Sequence, residues 1–169
     1  WAVGMSTPFL KDIQAYWLEQ YDWRAAEKAL NAWPQFKTKI DGLDIHFLHV
    51  VGEAGGKRPL LLTHGWPGSV YEFYEAIGPL AFPSKHGGNA EDAFDLVIPS
   101  LPGYGFSGKP AAPTCQQATA RMWDTLMRER LGYDTYLAQG GDWGGLVTSL
   151  LGLNHGTDSG GGCKAIHLN

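Results

Sequence analysis

Cysteine is scarce in this chain: Cys115 and Cys163 are its only two. That is too few for a disulfide scaffold and fits reduced thiols in a cytoplasmic protein. Positive charge is not in excess either. The 13 Lys+Arg stand against 17 Asp+Glu, a formal net charge of −4. This argues against a nucleic-acid partner, because such proteins present a basic face. Long apolar runs are missing. The longest charge-free stretch of the C-terminal half, Trp143 to Thr157, falls short of the ~20 apolar residues of a membrane span and carries several Gly and polar residues. No basic segment followed by an apolar run opens the chain, so no signal peptide is read. No His/Cys/Asp cluster shows metal-ligand spacing, and neither a metal nor a cofactor is expected.

Glycine is plentiful, at 23 of 169 residues, about twice the usual ~7%. Such a content implies tight turns or close backbone approach. The rest, 44% hydrophobic and 18% charged, is that of an ordinary globular domain. The chain starts at Trp1 and stops in the strand-like Ala165–Asn169, and both ends read as cut from something longer.

Periodicity sets the order of elements. Residues 8–33 read as one or two helices. Ser6-Thr7-Pro8 offers a cap with Pro in the first turn, and Asp22 caps a second helix that ends before Pro34. Alternation over Phe36, Thr38 and Ile40 then leads through the hairpin turn Asp41-Gly42 into Leu43–Val50. Further strands are expected at 59–63, 94–99, 133–138 and 163–168, with helices at 70–80, 114–131 and 143–153 and a polar loop at 85–92. Alternating β and α segments imply an α/β fold, a mostly parallel sheet covered by helices. Residues 1–35 form a helical N-terminal arm in this reading, and 36–169 form the core.

The most informative segment is Gln139-Gly140-Gly141-Asp142-Trp143-Gly144-Gly145, between a strand and a helix. A small-x-nucleophile-x-small pattern there is a nucleophile elbow, whose strained turn leaves no room for bulk at Gly140 and Gly144. The central residue is a carboxylate, which suits attack on saturated carbon to give an alkyl ester. Hydrolysis of that ester passes through an oxyanion that needs N–H donors. The plain alternative is that Asp142 caps the helix from Trp143. A phosphate loop fits less well, for want of a Gly-Lys-Ser/Thr ending.

A second motif, His64-Gly65-Trp66-Pro67-Gly68-Ser69, follows the strand at 59–63. In an α/β hydrolase this turn supplies one oxyanion donor and the residue after the nucleophile the other. The backbone N–H groups of Trp66 and Trp143 take those roles. His64, with Gly65 and Pro67, braces the turn rather than acting as base. His46 and His49 suit structural roles, and neither His155 nor His167 lies where the late catalytic base of such a fold belongs.

Several segments together resemble epoxide hydrolases of the microsomal type, within the α/β-hydrolase fold. They are Tyr21–Arg24, Asn31–Phe36, Ile40–Phe47, His64–Ser69, Pro99–Ser107, Gly140–Gly144 and Ile166–Asn169. The resemblance implies that Asp142 is the alkylated nucleophile, that Trp66 and Trp143 form the oxyanion hole, and that Tyr104 lies in the floor near the site. Turn packing is the plainer role for Tyr104. Ser107 is outside any elbow. The N-terminal helices resemble that family's arm around the core and lid.

The family also has two lid tyrosines, a late acid and a late His, none of which has a counterpart here. The lid and C-terminal strands are absent from this chain. The implied function is conversion of a small hydrophobic epoxide and water into a vicinal diol, complete only with the remaining C-terminal part of the same protein. The 169-residue chain alone is expected to be inactive. Two other readings stay open: a haloalkane dehalogenase with the same Asp elbow, or a non-catalytic scaffold fragment. Against the dehalogenase stand the arm and Trp66, where those enzymes usually place an Asn. Homo-oligomerisation is left open.

Overall fold

A computed structural model describes residues 4–169; the first three residues of the expected arm lie outside the described residues. The chain divides into two compact units, with the boundary between Ala32 and Trp33. The first contains α1 (Thr7–Glu19) and α2 (Trp23–Leu30). Ser6 Oγ accepts from Phe9 N–H at 3.4 Å, with Pro8 in the first turn of α1. Asp22 caps α2 more tightly, its Oδ1 accepting from the N–H groups of Arg24 at 2.8 Å and Ala25 at 3.1 Å. Both starts are where the cap residues place them.

The second unit is built on a six-stranded sheet: β1 (Gln35–Ile40), β2 (Leu43–Val50), β3 (Pro59–Thr63), β4 (Asp95–Pro99), β5 (Tyr136–Gly140) and β6 (Cys163–Leu168), in the order β1-β2-β4-β3-β5-β6. The β1–β2 and β2–β4 pairs are antiparallel, and β4, β3, β5 and β6 run parallel. The β1–β2 hairpin closes through Asp41 at φ 50° and Gly42 at φ 79°, the left-handed pair that a two-residue turn demands.

Strand alternation sends side chains to two cores. On one face Ile45, Phe47, Leu61, Val97 and Tyr136 pack with α4 (Gln116–Thr125) and α5 (Asp142–Asn154). On the other, Leu48, Leu62, Leu96 and Ile98 pack with α3 (Tyr74–Ala81). That second face is open beyond α3. An apolar groove of about 540 Å³ runs there between Leu60, Leu62, Leu80, Leu137 and Ala165.

Four expected segments differ in detail. The helix expected at 70–80 is a 3₁₀ turn, Val70–Phe73, followed by α3. Ser69 Oγ accepts from Tyr71 N–H and tightens that turn, while Pro79 lacks the N–H to extend α3 far. The loop at 85–92 holds two short 3₁₀ turns, Pro83–His86 and Ala90–Asp92. The helix at 114–131 is α4 plus one π turn, Leu126–Arg130. That wider turn accompanies burial of the consecutive residues Leu126 and Met127. The strand at 133–138 begins only at Tyr136. Tyr133 leaves the ladder because its hydroxyl sits 2.8 Å from His49 Nε2 and donates to Asp95 Oδ2 at 3.0 Å.

The β2 histidines take structural positions. His46 is buried, its Nδ1 2.9 Å from Ser100 Oγ and its Nε2 2.8 Å from Gln35 Oε1. Burial, and then the Lys37 charge, push its pKa down to about 4. Burial also lowers that of His49, against the pull of Asp95. In the unfolded chain both titrate near ~6.5. Between that pH and about 4 the unfolded state therefore binds protons that folded His46 does not. Stability from His46 is complete above about 6.5 and is lost as the pH falls toward about 4. We expect urea midpoints to fall over that window and the fall to shrink in His46→Gln. A flat profile from 6.5 to 4 would contradict this origin of acid sensitivity.

Candidate active site

Strand β5 ends at Gly140 and α5 begins at Asp142, so the chain reverses within Gly140-Gly141-Asp142. Asp142 has φ 51°, a left-handed conformation uncommon for a residue with a Cβ. Such a turn survives only if its surroundings hold it. A Cβ on Gly140 would land on the carbonyl of Gly144, and one on Gly144 would land on the carbonyl oxygen of Thr63. A Cβ on Gly65 would lie 2.6 Å from that of Asp142. These glycines let the β3 turn and the elbow meet backbone to backbone.

The result is a carboxylate faced by backbone N–H groups. Trp66 N–H donates to Asp142 Oδ1 at 2.8 Å. The N–H of Trp143 also donates to the carboxylate, and these two bonds, Trp66 first, hold its pKa below the ordinary range. Asp142 is therefore a carboxylate at neutral pH. Its side chain does not cap α5; the N-cap is Gly141, without a side-chain bond. The peptide bond Trp66–Pro67 is cis.

His64 holds the turn from behind. It is buried, its Nε2 accepts from Leu101 N–H at 3.0 Å, and its Nδ1 donates to Gly65 O at 3.0 Å. Those partners place the single ring proton on Nδ1, and burial keeps the ring neutral by lowering its pKa. Tyr104 packs edge-on against this ring, centroids 5.4 Å apart.

The carboxylate opens on a cleft of about 330 Å³ lined by Gly65, Trp66, Pro67, Gly68, Glu72, Gly141, Asp142 and Asn169. Among the described residues no histidine lines it, and no group of three His/Cys/Asp/Glu side chains is placed to hold a metal ion. The geometry can hold a carboxylate for attack and cradle negative charge on its other oxygen.

The family profile of the alpha/beta hydrolase fold matches residues 58–168. The chain belongs to that family. A second profile, of the epoxide hydrolase N terminus, matches residues 1–73. The chain is 43% identical over 174 residues to epoxide hydrolase 1 of Oryctolagus cuniculus, covering 98% of itself and 36% of that protein. Among solved structures it is similar to the epoxide hydrolase of Aspergillus niger, with 41% identity and a TM-score of 0.82 over 99% of this chain and 42% of that one. It is also similar to the juvenile hormone epoxide hydrolase of the silkworm Bombyx mori, with 39% identity and a TM-score of 0.84 over 99% of this chain and 43% of that one. The chain spans less than half the length of each of these proteins.

The remaining residues of this α/β-hydrolase-fold chain sort themselves by place. Trp66 and Trp143 are exposed beside the carboxylate, at 64% and 42%. Tyr104 and Trp143 share a smaller hollow of about 230 Å³ with Leu101, Thr119 and Val147. Ser107 is buried and donates to Ser100 O at 2.7 Å, a brace for its loop. His155 lies 3.7 Å from Asp124, and His167 lines the apolar groove. Among the described residues no helix is long and apolar enough to cross a membrane. Three cleft residues, Glu72, Gly141 and Asn169, were not expected from the sequence to have a part there. For Gly141 the doubled glycine before Asp142 was the only available signal.

Proposed function

We propose that this chain is the front portion of an epoxide hydrolase that opens epoxides to vicinal diols through an ester of Asp142. One observation carries the reading: an ionised carboxylate on a left-handed elbow residue, its Oδ1 held by the Trp66 N–H, with the Trp143 N–H beside the same carboxylate. The other oxygen, Oδ2, attacks an epoxide carbon. A C–O bond forms to Asp142, the ring C–O bond breaks, and its electron pair stays on the epoxide oxygen, which takes a proton. Water, deprotonated by a base, then adds to Cγ. Trp66 and Trp143 stabilise the resulting oxyanion. Collapse breaks the Cγ–Oδ2 bond, releases the diol with Oδ2 in it, and leaves the water oxygen in the carboxylate.

The proton donor and the base come, in this reading, from the remaining polypeptide, since the relatives are more than twice as long. The chain alone forms no diol. The unpaired thiols Cys115 and Cys163 fit a cytoplasmic setting. Single-turnover reaction of the full-length gene product with styrene oxide in heavy-oxygen water tests the route. The label is expected in the peptide containing Asp142. Label found only in the diol would refute the ester, and halide release from 1,2-dibromoethane without epoxide turnover would favour a dehalogenase.

A further inference from the structure

We infer that Asn169, oriented by Gln139, is a positioning residue for Asp142, a role neither carboxamide has in the reading above, on which this inference rests. Strands β5 and β6 run parallel, with Gln139 opposite His167 and Gly140 opposite Leu168. Alternation brings Gln139, Gly141 and Asn169 to one side of this edge of the sheet. There Gln139 Nε2 donates to Asn169 Oδ1 at 2.9 Å. The backbone N–H of Asn169 reaches Gly140 O at 3.4 Å, where the ladder ends.

The carboxamide of Asn169 occupies the space a side chain at Gly141 would need. A Cβ there would lie 2.6 Å from Oδ1, 3.2 Å from Cγ and 3.3 Å from Nδ2. Gly141 has φ −123°, a backbone open to any residue, so its lack of a side chain answers to Asn169 and not to its own torsion. A side chain at Gly141 would thus have to displace the amide packed on it.

Gln139 is an odd choice for its place. Its neighbours in the groove are Leu60, Leu62, Leu137 and Ala165, and its Oε1 is buried with no hydrogen-bond partner. A leucine there would avoid an unpaired buried oxygen. What glutamine adds is the N–H that fixes Asn169 Oδ1. That bond fixes which end of the carboxamide is oxygen, and leaves both Nδ2 hydrogens of Asn169 free to serve the cleft it shares with Asp142. An N–H donor in the wall of a cleft that holds an ionised carboxylate is of the right sign for both half-reactions. The clamp thus fixes the height of the Gly141-Asp142 turn and the polarity of that wall of the cleft.

The test uses the full-length gene product and five variants, one of them double. Asn169→Ala and Gln139→Leu are expected to lower kcat about 10- to 100-fold, the scale of a small misplacement of reacting groups, with KM little changed. Asn169→Asp is expected to lose at least as much and to move the acid limb of the ester-forming step upward, as a like charge beside Asp142 must. Gly141→Ala is expected to lower both Tm and kcat. Adding Asn169→Ala to it makes room for the methyl and restores Tm but not kcat, whereas a purely packing role would restore both. Carbon-13 titration of the Asp142 carboxyl gives a readout independent of turnover, expected to rise in Asn169→Ala and Asn169→Asp. An unmoved titration and an unchanged kcat in both would overturn the inference. A wild-type protein that never carries substrate on Asp142 would instead overturn the proposed function, while the titration still decides this point.

Discussion

Asp142→Asn is expected to remove epoxide turnover by on the order of 10⁴-fold or more while leaving the protein folded. The two halves of that expectation have separate causes. Asparagine tolerates the left-handed region almost as well as aspartate, so φ 51° costs it little more. Its amide oxygen can still accept the Trp66 N–H that Oδ1 accepts at 2.8 Å. What it lacks is the second anionic oxygen, and a neutral amide does not displace at saturated carbon. Thermal unfolding should therefore change by no more than about 1 kcal/mol. Residual turnover above about one part in a hundred would mean that another group attacks, and the ester route would have to be abandoned.

Gly144→Ala is expected to be the most damaging single methyl in the core unit, destabilising it by about 3 kcal/mol or more. The added Cβ would meet the carbonyl oxygen of Thr63 and lie 2.8 Å from that of His64. Both are backbone atoms at the end of β3, so relief requires moving the turn that carries the Trp66 N–H. Stability and reactivity should fall together. Its neighbour is the control. A Cβ on Gly145 would come no closer than 3.4 Å to Gly140 O, and alanine gains up to about 1 kcal/mol over glycine within a helix. Gly145→Ala should thus be neutral or stabilising in urea unfolding. Equal losses at the two positions would show that helix entry, and not the contact with β3, sets the need for glycine.

The alternation of β and α segments was legible because burial writes its period directly into the chain. Leu61 and Val97 point to one core while Leu62, Leu96 and Ile98 point to the other. Caps were legible because Ser6 and Asp22 act on residues two or three positions away. The misplaced boundaries depend on distant partners. Tyr133 is drawn off β5 by Asp95, which lies 38 positions earlier, and no local pattern records that.

The site divides along the same line. Asp142 and its flanking Gly140 and Gly144 could be read because the elbow pattern itself lies within five residues, even though Gly144 answers to the backbone of Thr63 and His64. Gly65 facing Asp142, Asn169 on Gly141 and Gln139 in an apolar groove could not. Each follows from β3, β5 and β6 lying side by side, a fact of topology rather than of spacing.

That strand order also bears on when reactivity arises. Trp66 and Asp142 are 76 positions apart in the chain and meet only once β3 has found β5. Closing so long a loop places this pairing among the slower events of folding. Until it occurs, Asp142 is one of 17 acidic residues with nothing to set it apart. On the proposed function, covalent capture at Asp142 is therefore a clock for the arrival of β3 beside β5, and a nascent or denatured chain is expected to pass through an electrophile-rich medium without being marked there.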